Sequence, residues 1–267
     1  MCEPGSARSR AAKVEGIRLR LKLISCEIFY REMCAAVARS PHTVDIEFLP
    51  KGLHDIGSTG MLERVQAALD RVEASKYEAV LFGYGLCNNG LSGLVARSVR
   101  LVVPRAHDCI TMFFGSKERY HEYFHTHPGV YFKTTGWIER GEAAGELKQL
   151  SIAHQVGMDL TYDELVAKYG EDNAKYLYEE LCNYVKHYTQ FTFIEMGVEP
   201  DGSFEQHTRA EAARRGWKFE KVPGDMSMIQ RLVDGIWDEN EFRVVPPGWR
   251  VVAKYDEGII AAEEVIP

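Results

Sequence analysis

The chain has no apolar run approaching the roughly 20 residues that cross a bilayer, so no membrane-spanning helix is expected. Its first sixteen residues, MCEPGSARSRAAKVEG, lack the apolar centre of a secretory signal, and residues 1–16 read as a disordered leader. Without an export signal, the six cysteines point to free thiols or metal ligands rather than a disulfide framework, and to a cytoplasmic protein. Close C-x2-C pairs are missing, which excludes zinc-ribbon and ferredoxin spacings. There is no G-K-[ST] phosphate loop and no G-x-G-x-x-G. Basic charge is short as well: a net charge of −7 argues against a dedicated nucleic-acid binder. What remains, 267 residues with 45% apolar and 27% charged, is the composition of a globular protein with one large domain or two modest ones.

Short apolar runs at 17–25, 44–49, 77–83 and 99–103 read as strands, and the stretches between them carry helical patterns, most clearly at 59–74 with Ser58 as N-cap. A short helix is expected at 91–96, and 108–124 reads as helix broken at Gly115-Ser116. This alternation predicts an α/β fold with parallel sheets flanked by helices. AVLF and LVV suit strands buried on both faces. A second alternating series follows, with helix 171–187, strand 191–195, helix 203–215, strand 217–222, helix 226–236 and strand 242–245. Two similar α/β units are therefore expected, 17–135 and 136–255, with 136–159 a connector or lid and an acidic solvated tail at 256–267. Arg100-Leu-Val-Val-Pro104 echoes Arg243-Val-Val-Pro246, a thin hint of internal duplication.

Cys26, Cys87 and Cys109 each follow a predicted strand. In a parallel sheet these ends share one edge, the edge where open α/β folds bind ligands. Cys26 and Cys109 also sit near predicted helix starts, which favour thiolate. Three thiolates with an open position suit zinc with a bound water, or an iron–sulfur cluster with one free iron; a single metal-free nucleophilic cysteine is the competing chemistry. Cys34 and Cys182 read as core residues, and Cys2 lies in the leader. In Pro104-Arg-Ala-His-Asp-Cys109, Arg105 could grip an anion, His107 could shuttle protons or ligate metal, and Asp108 could orient it or cap the next helix. His54-Asp55 falls on the same edge. Gly83, Gly85 and Asn88 in Gly83-Tyr-Gly-Leu-Cys-Asn-Asn-Gly90 would bring backbone close to a ligand. Asp225 reads as an N-cap, and Lys117 and Arg119 as solvated charge. His121 and His125 have the i, i+4 spacing of helical metal sites, yet are expected to be ordinary histidines, as is His127.

The phrases Gly83-Tyr-Gly-Leu-Cys87, Pro104-Arg-Ala-His-Asp-Cys109, Gly115-Ser-Lys-Glu-Arg-Tyr120, Pro128-Gly-Val-Tyr131 to Gly136-Trp137, and Tyr169-Gly-Glu-Asp-Asn173 together resemble the domain-of-unknown-function family numbered 1638, over about 23–248. The resemblance implies a shared design among cytoplasmic proteins of bacteria and archaea. It also implies the company of corrinoid-dependent methyl transfer, and with it a corrinoid or a methyl-transfer protein as partner. The residues themselves lead to a metal- or iron–sulfur-dependent enzyme, a lyase or transferase acting on a small anionic metabolite; the resemblance shapes the alternative, an accessory binder of a metal, a corrinoid or a methyl-transfer partner.

Overall fold

The computed structural model describes residues 18–142, 144–182 and 187–265, with the side chains of 181 and 182 excepted. The expected leader, Cys2 and the Cys182 side chain lie outside the described residues. Among the described residues ten strands form three sheets: β1 Arg20–Cys26, β2 Thr43–Leu49, β3 Ala79–Gly83, β4 Leu101–Pro104, β5 Val130–Lys133, β6 Gln190–Glu195, β7 Lys218–Pro223, β8 Phe242–Val245, β9 Trp249–Ala253 and β10 Ile260–Glu264. The main sheet has the order β2-β1-β3-β4-β8. Its first four strands are parallel, and β8 runs antiparallel beside β4. Every residue of β3 and β4 is buried, as their uninterrupted apolar sequences require of strands covered on both faces.

Between these strands lie α1 Tyr30–Arg39, α2 Gly57–Asp70, α3 Cys109–Phe114 and α4 Lys117–Thr126, and a later helix, α11 Ser227–Val233, packs with α1 against the sheet. The helix α2 starts at Gly57 without a side-chain cap, so Ser58 does not serve as its N-cap. Helices α3 and α4 are separated where expected: Gly115 takes φ 77° to close the first, and Ser116 caps the second by accepting from the Arg119 amide. Residues 91–96 form turns and a bridge from Val95 to Arg250 in place of the expected helix. From β1 the chain goes to one side to make β2 and to the other to make β3 and β4. The reversal leaves a crevice between the carboxyl ends of β1 and β3, the general ligand position of such sheets.

The second sheet, β5-β6-β7, is also parallel. Helix α10 Ser203–Arg215 packs on β6 and β7, while Tyr123 of α4 reaches Thr192 and Glu220 through its hydroxyl, at 2.8 and 2.7 Å. Strand β5 lies within the bounds expected for the first unit yet belongs to this sheet, and β8, expected in the second, belongs to the main one. The echoing segments pair directly, Leu101 with Val245 and Val103 with Arg243, as antiparallel neighbours rather than equivalent strands of a repeat. Residues 135–177 hold α5 Thr135–Glu139, α6 Gly145–Leu150, α7 Ile152–Gln155, α8 Tyr162–Tyr169 and α9 Glu171–Leu177; of the helix expected over 171–187, α9 is followed by a π turn at Tyr178–Cys182, and 183–186 lie outside the described residues. Helices α6 and α7 pack over the 3-10 turn Lys51–Ile56.

The acidic end is not a solvated tail. Ile259 and Ile260 are buried, and Ile260–Glu264 pairs antiparallel with β9 while Glu263 and Glu264 face solvent.

Candidate functional site

Cys26 ends β1 in extended conformation and precedes the turn Glu27–Phe29, whose Ile28 amide points at its sulfur. Cys87, Asn88 and Asn89 adopt φ of 45°, 57° and 62°, three consecutive left-handed residues. Asparagine tolerates that region; for a cysteine it costs roughly 1–2 kcal/mol, strain of the kind that functional sites retain. Two backbone hydrogen bonds hold the loop in place: the Leu86 amide donates to the Ala106 carbonyl at 2.8 Å and the Cys87 amide to that of His107 at 3.0 Å. The Cys109 thiol is thereby set 3.4 Å from that of Cys87. All three cysteines are free and buried.

Burial, with Cys109 nearby, pushes the Cys26 thiol well above its ordinary value, against the Ile28 amide and the Lys51 ammonium, which oppose the shift. Cys109 is also pushed well up, first by its contact with Cys87 and then by burial, while the Gly85 amide opposes. Glycine at 85 is a steric necessity: a Cβ there would lie 2.7–2.8 Å from the backbone of Asp108. At Gly83 it would lie 2.1 Å from the Ser25 hydroxyl. Gly85 lets the Cys87 loop settle against the start of α3, and Gly83 lets the end of β3 pack against Ser25 and Met33.

Two residues that sequence reasoning misses complete the centre. Tyr84 is buried between the two glycines, and its hydroxyl has no hydrogen-bond partner. Burial raises its pKa first, and Cys26, Cys109 and Cys87 follow, so the phenol sits within the field of all three sulfurs. Lys51 is 6% exposed; its ammonium donates to the Gly141 carbonyl and lies 4.5 Å from the centre of the Trp137 ring. Burial lowers the Lys51 pKa, and Cys26 is among the groups that oppose the fall. The available signal was position: Lys51 follows β2, and Tyr84 follows β3, on the edge already singled out.

His54 is exposed and contacts the Cys87 loop, with Nε2 3.4 Å from the Asn88 amide nitrogen and Nδ1 3.3 Å from an Asp55 oxygen. Cys34, expected in the core, is partly exposed. Asp108 caps α3, accepting from the Ile110 and Thr111 amides at 3.0 and 3.2 Å, and its other oxygen accepts from the Tyr120 hydroxyl at 3.0 Å. Its carboxylate is committed to the cap, not to orienting His107. Asp225 accepts from the Ser227 amide at 2.8 Å.

Arg105 does not present its guanidinium to an anion. It donates to the backbone carbonyls of Glu239, Gly258 and Ile260, residues more than 130 positions away. A fork of donors matches carbonyl oxygens as well as carboxylates, and here it fastens the β9–β10 hairpin to the end of β4. Arg105→Ala should cost about 2–3 kcal/mol and expose the 254–259 turn to protease; an unchanged unfolding midpoint and digestion pattern would remove this structural role.

His107 is exposed and opens instead onto a cleft of about 1030 Å³ between α4 and the hairpin turn. Glu118, His121, Glu122, Asp256 and Glu257 also line it. Sequence reasoning passes over these histidines although His121-Glu122-Tyr123-Phe124-His125 carries H-E-x-x-H in full. Lys117, expected as solvated charge, bridges the cleft to the Glu257 carbonyl at 3.0 Å, and Arg119 donates to that of Pro223 at 2.6 Å.

A family model described as a protein of unknown function, DUF1638, matches residues 48–233. No curated protein matches the chain. The matched stretch includes Cys87, Cys109, Tyr84 and Lys51 and leaves out Cys26.

Proposed function

The chain belongs to the DUF1638 family, and, since that description carries no activity, we propose from the site itself that Cys26, Cys87 and Cys109 hold a soft metal centre, zinc or an iron–sulfur cluster, in an enzyme acting on a small anionic metabolite. The observation that carries the reading is the Tyr84 hydroxyl, buried without a partner in the field of three buried thiols. A buried polar atom without a hydrogen bond calls for an explanation, and an absent group at the thiols supplies one. Two sulfurs bound to one tetrahedral zinc at roughly 2.3 Å stand about 3.8 Å apart, close to the 3.4 Å between Cys87 and Cys109. Among the described residues no three His, Cys, Asp or Glu side chains converge as they stand on one ion. Cys26 therefore has to turn toward the other two, a smaller demand for a cluster than for a single ion.

The raised pKa values of Cys26 and Cys109 speak against either as a bare nucleophile. At neutral pH Cys26 and Cys109 keep their protons, and a protonated thiol attacks poorly. A soft metal displaces those protons and yields thiolates. With one coordination position open, the centre would supply Lewis-acid chemistry of the lyase or transferase kind. Lys51 takes the part first expected of Arg105, a cation within the field of Cys26 that offsets thiolate charge and attracts an anion. His54, exposed and held by Asn88 and Asp55 next to the Cys87 loop, is the group placed to exchange protons with solvent.

Elemental analysis and an absorption spectrum of protein purified without oxygen test this. The expected result is one sulfur-bound centre per chain, coloured if iron–sulfur and colourless if zinc, and largely lost in Cys87→Ser while the fold persists by circular dichroism. Folded wild-type protein without metal, or a Cys87→Ser variant with its full complement, would overturn the reading.

A further inference from the structure

We infer that the cleft beside α4 carries a second metal site, a zinc ion held by His121 and His125 with Glu122 beside it. The two imidazoles stand one turn apart on an exposed stretch of helix and turn their Nε2 atoms toward each other, 2.9 Å apart. Their ring centres are 4.1 Å apart, inclined at 73°. Two nitrogens bonded to one ion at roughly 2.0–2.1 Å are separated by about 2.9 Å at a right angle and about 3.3 Å at the tetrahedral angle. The observed spacing is at the lower end of that interval, and small rotations of two exposed rings cover the rest.

The surroundings suit an ion that stays open to ligand. His121 and Glu122 line the cleft, Glu118 lies on the same helical stripe three residues before His121, and Asp256 and Glu257 face them from the hairpin turn. Carboxylates outnumber cations there, which favours a divalent cation electrostatically. No third protein ligand converges with the two imidazoles among the described residues. The remaining positions are thus left to water and to an oxygen of a ligand in the cleft, such as a carboxylate or carbonyl. The motif places a carboxylate next to the first histidine, where helical zinc sites use it to take a proton from metal-bound water. This centre has imidazole and oxygen donors, and the first has sulfur, so each can be read without the other.

Calorimetric zinc titration of the anaerobically purified full chain tests it, with cobalt(II) as the spectroscopic probe. Wild-type protein should take up one zinc more than the His121→Ala/His125→Ala double variant, with the single variants at least ten-fold weaker at that site. Glu122→Gln should keep the ion, since its role is toward bound water. The double variant should retain any thiolate-to-cobalt charge-transfer absorption, and Cys87→Ser should lose that absorption while keeping the extra zinc. Equal zinc uptake by wild type and double variant overturns this site and leaves the thiolate centre standing. An extra zinc lost only in the double variant, with no thiolate absorption in wild type, supports this site and removes the other.

Discussion

Glutamine in place of Glu32 should raise the free energy of unfolding by about 3 kcal/mol at about pH 8 and change it little near pH 4. Glu32 is fully buried on α1, six residues after Cys26, and neither carboxylate oxygen has a hydrogen-bond partner. Burial pushes its pKa up from the usual 4.5 to about 7. Its own amide, which lies near without good hydrogen-bond geometry, and Arg31 pull the other way, while Glu199 and Glu139 add to the rise. The folded chain therefore holds this proton across a window in which the unfolded chain has released it. Stability from this group is full below about pH 4.5, falls as pH climbs toward 7, and is level above that. Glutamine stays neutral throughout and removes the fall without changing the shape of the side chain. Denaturant unfolding of both proteins across this range isolates the effect, because the other titrating groups cancel in the difference. Parallel profiles would mean that Glu32 is ionised and partnered in the folded state.

Much of the main sheet is legible because burial on both faces leaves runs of apolar residues that no helix of that length would carry. AVLF and LVV identify β3 and β4, and once those strands are parallel, the approach of Cys87 to Cys109 follows from the shared edge. Helix α10 matches its predicted bounds, 203–215. What the pattern cannot carry is partnership. A strand's alternation says which face is buried and not which strand lies beside it, so β5 and β8 fall on the wrong sides of the expected boundary. The same limit applies to Arg105: its residue type predicts a grip on oxygen, but the oxygens are carbonyls of Glu239, Gly258 and Ile260, brought near only by the hairpin's return. Tyr84 and Lys51 become informative through burial, which turns an ordinary hydroxyl and an ordinary ammonium into groups that need an explanation.

Gly136→Ala should cost about 3 kcal/mol or more and make Cys26 more reactive. The φ of Gly136 is not positive, so the cost is purely a matter of room. A Cβ at that position would stand 1.8 Å from the Ile28 carbonyl oxygen and 2.7 Å from its carbon. Those atoms belong to the turn Glu27–Phe29, and backbone cannot rotate aside as a side chain can. Relief requires α5 to lift from the turn. Two contacts resist that movement: Arg31 donates to both oxygens of Glu139 at 3.0 and 2.7 Å, and Trp137 lies over the Lys51 ammonium. The methyl group thus sets a steric collision against the packing that covers Lys51 and, through it, Cys26. Alkylation of Cys26, followed by mass spectrometry, should quicken as α5 loosens, in step with the lowered unfolding midpoint. Gly141→Ala is the contrast: φ is 61° and nothing lies within 4 Å, so only the roughly 1–2 kcal/mol of left-handed backbone strain applies. A Gly136→Ala protein no less stable than Gly141→Ala, with Cys26 labelling as slow as in wild type, would mean that α5 does not seat on the turn beside the thiols.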